Sequence, residues 1–487
     1  MSEQINENGE RLSAIDILKD LRKSISGPRG PKNLKKLWKF VKEAETSFEI
    51  QSEINASGKA LDVVSTLLCS YNGSLGKQDK YIFDILNVME KNCGISMIRF
   101  LPFQFGETAK PYYEELVKIG SLLHQRLSYT DSLKQLDKER LGFSIKTVSQ
   151  FETLSSAGND VVYDPRFLLR LFSSMMEVGS DLRSRDFISL GCLGYIFAAT
   201  SVRNEEVRAS AYICLHRFYA HLNQVASDSF ETKKLVQQLI RQYKESLSAV
   251  NLRIPNIITH YFARASVVLM NPASPIFGRI CSLLISRPTI KMGAPILFYQ
   301  MLESANMENL NGETEFMLDM LSGSLIDSED FHILNSAGGF KAILSLFYSE
   351  LSTPVTRKYI LMIVNNVAGI QTSISTLVGT LQIQSWIVGN MNCSRTSNWE
   401  LCFLGRIFYK LYNNLIQEMA QGEIKPEEVE KLEMLGYSLK FCSAKVLERF
   451  EIGYDAQFSG GKIENKMDSV RPKDLEELIC RPISAQS

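Results

Sequence analysis

Val161-Val162-Tyr163-Asp164-Pro165-Arg166-Phe167-Leu168-Leu169-Arg170-Leu171-Phe172-Ser173-Ser174-Met175-Met176 is the stretch that decides the fold. Aspartate is a good N-cap, and proline at the first helical position gives up an N–H that has no intrahelical partner anyway, so Asp164-Pro165 opens a helix. Phe167, Leu168, Leu171, Phe172, Met175 and Met176 recur at i, i+1, i+4, i+5, i+8 and i+9, one broad apolar face at helical period. Four more apolar stripes follow before Pro288. Residues 187–199 carry the second. Asn204-Glu205-Glu206 starts the third with a capping side chain and two carboxylates at the positive end of the helix dipole. Its face is Val207, Ala211, Cys214, Leu215, Phe218 and Leu222. The fourth carries Leu235, Val236, Leu239, Ile240, Tyr243 and Leu247, and the fifth runs from Pro255 through Tyr261, Phe262 and Leu269 to Asn271-Pro272. Amphipathic helices joined by short turns bury their stripes only against one another, so they stack into an array.

Outward from this centre the same pattern continues. Leu61, Val64, Leu67 and Leu68, then Tyr81, Ile82, Ile85, Leu86 and Met89, give two stripes on either side of Asn72-Gly73. Residues 94–109 break the period and read as a packed loop. A helix restarts at Pro111-Tyr112, and Ser155-Ser156-Ala157-Gly158-Asn159 reads as a hinge. Beyond Pro288, helices are expected over 295–302, 313–325, from Pro354, and over 399–419 and 429–450, with a polar loop at 390–398. Strand signals never exceed a few residues. The expected organisation is a basic, disordered arm at 1–45, an N-terminal helical region at 46–160, an α-solenoid at 161–450 and a mobile polar tail at 451–487.

Composition limits the function classes. The 487 residues carry 54 basic and 54 acidic side chains, so any attraction to a polyanion must be local. The nine cysteines are scattered singly with no CxxC pair, the pattern of a reduced intracellular protein. The first 25 residues lack the apolar core of a signal peptide, and no apolar run reaches the ~18 residues of a membrane span, so neither a membrane partner nor a small-molecule substrate is expected.

Local charge is concentrated near the N-terminus. Between Lys19 and Lys42 there are nine basic residues and one acid, Asp20. Gly27-Pro28-Arg29-Gly30-Pro31 can be neither helix nor strand, and after it Lys35, Lys36 and Lys39 surround Leu34, Leu37, Trp38 and Val41. This segment is a nuclear-import signal, an arm that neutralises RNA phosphates with Trp38 free to stack, or a solvated lead-in to the first helix. The RNA-binding candidates are Arg22, Lys23, Arg29, Lys32, Lys35, Lys36 and Lys39. A weaker candidate is the set Arg166, Arg170, Arg183, Arg185, Arg203, Arg208 and Arg217, but interleaved acids such as Asp164, Glu177 and Asp186 offer these arginines partners.

Catalytic patterns are missing. GxxxxGK[ST], GxGxxG, HExxH, GxSxG and paired-cysteine zinc spacings do not occur, so no catalytic residue, cofactor or metal is expected. Gly191-Cys192-Leu193-Gly194 lies inside a helical stripe, where close helix packing is its role. His216 and His221 are five apart and so face different ways on a helix. Tyr195, Phe197, Tyr212 and Tyr219 are read as core.

Two resemblances sharpen the reading. Glu206-Val207-Arg208-Ala209-Ser210-Ala211 resembles the second helix of a HEAT-type repeat, and Ala337-Gly338-Gly339-Phe340-Lys341-Ala342-Ile343-Leu344 resembles the turn into the third helix of an armadillo repeat. The fold is therefore expected to be all-α, an irregular HEAT/armadillo-like helical-repeat solenoid with polar N- and C-terminal tails. A longer series is more specific: Val162-Tyr163-Asp164-Pro165-Arg166-Phe167-Leu168-Leu169, Arg208-Ala209-Ser210-Ala211-Tyr212, Phe218-Tyr219-Ala220-His221-Leu222, Asn251-Leu252-Arg253-Ile254-Pro255, Ser286-Arg287-Pro288 and Phe298-Tyr299. In that order they resemble the C-terminal region of the nucleolar pre-ribosomal-associated protein family, over roughly residues 81–387. Members of that family are far longer than this chain, so most of their N-terminal solenoid has no counterpart here and functions housed there cannot be carried over. The resemblance implies a non-catalytic nucleolar scaffold in early large (60S) subunit assembly and pre-rRNA processing. It implies pre-ribosomal particle proteins including a DEAD-box helicase module, pre-rRNA and small nucleolar RNPs as partners. The alternative is an armadillo/HEAT-type adaptor or transport receptor for peptide cargo, which calls for a ladder of groove-facing Trp and Asn. Trp38, Trp386 and Trp399 are few and far apart for that role.

Overall fold

A computed structural model describes residues 30–44, 64, 67–68, 70–93, 129–225, 230–304, 309–420, 426–458 and 470–481. Helices dominate, and the strands among the described residues are Ser74–Leu75 and Asn159–Tyr163, paired antiparallel. The fold is all-α, as expected. Two compact units are resolved: residues up to Ile254 with Thr259–Ile290, and Pro255–Ile258 with residues from Lys291 onward.

In the first unit, helix Gly30–Ala44 packs on helix Lys77–Cys93. Leu34, Leu37 and Val41 are buried against Ile82, Ile85, Leu86 and Met89. The first part of the expected arm lies outside the described residues, but 30–44 is folded helix rather than disordered arm. Its leucines and valine at i, i+3 and i+7 gain more from burial, about 1.5–3 kcal/mol each, than a short lysine-rich helix loses to charge repulsion. The stretch expected as a hinge is largely regular structure. Residues 155–157 end helix Phe151–Ala157, and Asn159 begins a strand that pairs back to Ser74–Leu75. Asp79 supports that pairing by accepting bonds from the Ser74 N–H at 2.7 Å and the Asn72 N–H at 3.2 Å. Arg140 completes it, donating to the Val161 carbonyl at 2.8 Å and the Asn72 carbonyl at 2.9 Å.

The opening motif behaves as its residues dictate. Asp164 accepts from the Arg166 N–H, Pro165 occupies the first turn, and helix Pro165–Met175 buries Phe167, Leu168, Leu169, Leu171, Phe172 and Met175. The second stripe is two helices, Ser184–Leu190 and Cys192–Ala199, because Gly191 adopts a left-handed φ of +104°. Gly194 has the packing role expected, since a Cβ there would lie 3.2 Å from the Ala263 carbonyl oxygen. Rings fill the core between these helices. Phe172 meets Phe187 edge-on with centroids 5.1 Å apart, and Phe187 stacks on Phe218 at 5.2 Å. A second cluster joins Phe197, Tyr243 and Phe262. Asn204 caps helix Glu205–Gln224 through the Glu206 and Val207 N–H groups.

In the second unit, helix Leu310–Ser324 packs on helix Pro354–Val367, which Thr353 caps. Gly338 is left-handed, φ +71°, and turns the chain into helix Gly339–Leu346. The long helices Asn398–Ala420 and Pro426–Phe458 lie against each other. Ser397 and Glu400 form a capping pair at the start of the first, with the Glu400 carboxylate accepting the Ser397 N–H and hydroxyl, both at 2.7 Å. The same buried carboxylate takes Arg357 Nε at 2.6 Å. Two glycines let these helices approach. A Cβ on Gly405 would clash with the Phe450 ring, and one on Gly453 would lie 2.7 Å from the Leu401 Cβ. The expected mobile tail is ordered in part: Pro472–Ile479 is a helix whose Leu475 and Leu478 are buried against the two long helices.

Candidate nucleic-acid interface

Helical geometry sorts the side chains of Gly30–Ala44 into two faces. With 100° per residue, Lys32, Lys35, Lys36 and Lys39 fall at i, i+3, i+4 and i+7, opposite Leu34, Leu37 and Val41. All four lysines are exposed, as is Lys42. The structure therefore gathers four of the seven RNA-binding candidates into one row about 10 Å long. Arg22, Lys23 and Arg29 lie outside the described residues. Trp38 is not free to stack. Its indole N–H donates to Asp84 at 3.2 Å, its ring lies 5.2 Å from Tyr81, and Lys42 sits 4.7 Å above it.

The central arginines divide differently. Arg166 forms a bidentate pair with Asp164, Nη2 to Oδ2 at 2.7 Å, with its guanidinium 4.3 Å from the Phe83 centroid. Arg170 pairs with Glu90. Arg208 is 8% exposed and donates to the carbonyls of Asn251 at 2.8 Å, Val202 at 3.0 Å and Arg203 at 2.9 Å. Arg166 and Arg208 hold a helix start and loops and Arg170 ties two helices together, so these three do not line up as an RNA track. His221 turns inward to the Leu182 carbonyl at 3.2 Å while His216 is exposed, as their spacing requires. Burial pushes the Cys214 thiol up to about 12, and its Sγ contacts the Leu169 carbonyl at 3.2 Å. Cys192 and Cys214 are buried reduced thiols inside the core, not reactive groups. Among the described residues no three His, Cys, Asp or Glu side chains converge as metal ligands, and no single helix is long and apolar enough to cross a membrane.

One surface was not anticipated. Between helices Glu205–Gln224 and Lys233–Glu245 lies a cavity of about 390 Å³ floored by Leu215 and Ile240 and bordered by Tyr212, Tyr219, His216, Arg241 and Lys244. Both tyrosines were assigned to the core by spacing, but they are only half-buried. The Tyr212 hydroxyl donates to the Leu252 carbonyl at 2.6 Å, and Arg241 Nη2 donates to the Tyr219 hydroxyl at 3.3 Å. Tyr212 and Tyr219 at i and i+7 beside His216 were the available signal. Spacing alone could not supply the second wall.

Fold and surface together define an all-α helical-array protein. Within it, residues 193–386 match the family model of Nucleolar pre-ribosomal-associated protein 1, a span that lies inside the 81–387 stretch picked out by sequence resemblance. The chain is 26% identical over 391 residues to Nucleolar pre-ribosomal-associated protein 1 of Mus musculus, covering 76% of this chain and 17% of that protein. It is 25% identical over 338 residues to Nucleolar pre-ribosomal-associated protein 1 of Homo sapiens, covering 66% of this chain and 15% of that protein. The chain is thus similar to these proteins over much of its own length and spans about a sixth of theirs.

Proposed function

We propose that this chain is a non-catalytic nucleolar scaffold in ribosome biogenesis, acting on early precursors of the large (60S) subunit. The observation that carries the reading is the family match across residues 193–386, which takes in the Phe197, Tyr243 and Phe262 cluster and the helices around it. Helical arrays of this type give rigid surfaces for docking other proteins. The surfaces here dock assembly factors of the pre-ribosomal particle, including a DEAD-box helicase module, in the neighbourhood of small nucleolar RNPs and pre-rRNA. The row Lys32, Lys35, Lys36 and Lys39, with Arg22, Lys23 and Arg29 ahead of it, adds sequence-independent affinity for the RNA backbone through counterion release. The peptide-adaptor alternative needs tryptophans open to a groove. Trp386 instead donates to the Leu344 carbonyl at 3.3 Å and packs on Phe347 at 5.3 Å.

The test is co-sedimentation of the tagged full chain from nucleolar extract. It should travel with particles containing large-subunit precursor RNA. Sedimentation as free protein, or with small-subunit precursors alone, would sink the reading. For the lysine row, replacing the four lysines by glutamine should weaken RNA binding uniformly across sequences. It should also reduce the slope of log K against log salt by about 3, from ~0.7 per neutralised phosphate on single strands. An unchanged slope removes the row from the interface.

A further inference from the structure

We infer that the cavity between helices Glu205–Gln224 and Lys233–Glu245 is a subsite for one unpaired RNA nucleotide, its base against Tyr212 and Tyr219 and its phosphate on Arg241 and Lys244. The inference rests on the pre-ribosomal reading for its choice of polymer, and on geometry for the site itself. At about 390 Å³ the cavity falls within the ~300–1,000 Å³ that small ligands fill. Its floor, Leu215 and Ile240, is buried and apolar, which suits the face of a base and not a hydrated ion. One wall carries two half-buried tyrosines whose hydroxyls already have hydrogen-bond partners, so each ring is anchored before a ligand arrives. Stacking on a fixed ring costs little conformational entropy and tolerates any base.

Charge selects the polymer. Helix Lys233–Glu245 exposes Lys234, Arg241 and Lys244 against one exposed acid, Glu245, which also lines the cavity, in a chain whose overall charge is zero. Lys233 is not part of that surface, since its Nζ is bound to the Val225 carbonyl. Arg241 has five N–H donors, and its bonds to the Tyr219 hydroxyl and to Gln238 Oε1 at 3.5 Å steady the guanidinium at the cavity mouth while leaving the planar fork able to meet a phosphate. An acidic peptide would satisfy the cations but leave the two tyrosine rings without a flat partner.

The experiment is fluorescence anisotropy of labelled single-stranded 12-mers, oligo(U) and oligo(A), and of a 12-base-pair RNA duplex, titrated with the full chain. Single strands should bind more tightly than the duplex, whose bases are already stacked. Tyr219→Ala should weaken single-strand binding by about five- to 150-fold and leave duplex binding unchanged, while Tyr219→Phe retains most of the affinity. Arg241→Gln should lower the salt slope by about 1. Circular dichroism of each variant checks that the helices persist, and the Tyr219→Phe chain serves as the folded reference. If Tyr219→Ala binds single strands like the parent, the assignment is overturned. It is equally overturned if oligo-glutamate binds with the parent's RNA affinity and loses it in the same variant, because the groove then belongs to a protein partner. Sedimentation with large-subunit precursors can survive either outcome, so failure here leaves the scaffold reading separately testable.

Discussion

Gly405→Ala tests the packing of the two longest helices. An added Cβ would sit 2.6 Å from Phe450 Cδ2 and 2.8 Å from Cδ1, with Cγ closer still. Phe450 is fully buried, so its ring cannot swing into solvent to make room. Overpacking of this kind costs about 1–3 kcal/mol, and three clashing ring atoms place it at the upper end. Alanine returns about 1 kcal/mol of helix propensity. The net expectation is a loss of ~2 kcal/mol. Gly389 is the control. It lies in helix Ile383–Met391 with nothing within 4 Å of a built Cβ, so Gly389→Ala should gain about 0.5–1 kcal/mol. Urea unfolding followed at 222 nm would measure both, and Phe450→Leu in the Gly405→Ala background should recover part of the loss through a double-mutant cycle. If Gly405→Ala unfolds at the same urea concentration as Gly389→Ala, the close approach of the helices is wrong.

Further expectations concern buried polar groups. Burial raises the Asp330 carboxyl to about 6 although Asn256 Nδ2 donates to it at 2.9 Å and the Ile257 N–H at 3.1 Å. Its folded value lies above the ~3.9 of an unfolded aspartate, so its contribution is full below pH 4 and is lost as pH rises through about 6. Asp330→Asn should flatten the fall in stability between pH 4 and pH 7, measured by denaturant titration across that range. An unaltered pH profile would refute it. Glu400→Ala strips the acceptor from Arg357 and Ser397 and should cost about 2–3 kcal/mol, with Glu400→Gln costing less, read from the same urea transition. Arg208→Met orphans three loop carbonyls and should lower stability by about 2–4 kcal/mol without changing the affinity for RNA, as thermal unfolding and anisotropy together would show.

Local chemistry made part of this fold legible. The Asp164-Pro165 and Asn204 helix starts, and the inward faces after them, follow from capping and period within one or two turns. What escaped depended on distant partners or on uniformity. Residues 187–199 are apolar on nearly every side, so periodicity could not register the break at Gly191. Strand Asn159–Tyr163 exists because Ser74–Leu75 pairs with it from far away in sequence. Helix Pro472–Ile479 hides in polar sequence because two leucines suffice to seat it. At the candidate surfaces the lysine row could be read from spacing. The hold of Asp84 on Trp38 and the wall that Arg241 adds opposite Tyr219 required the fold.

The glycines at 405 and 453 act on the long helices as a pair of notches. Phe450 seats over Gly405 while Leu401 seats over Gly453, so residues one turn apart in each helix meet their counterparts in reverse order in the other. Alignment of these rods is set along their flanks. A single deletion between Leu401 and Gly405 would let only one of the two notches stay seated.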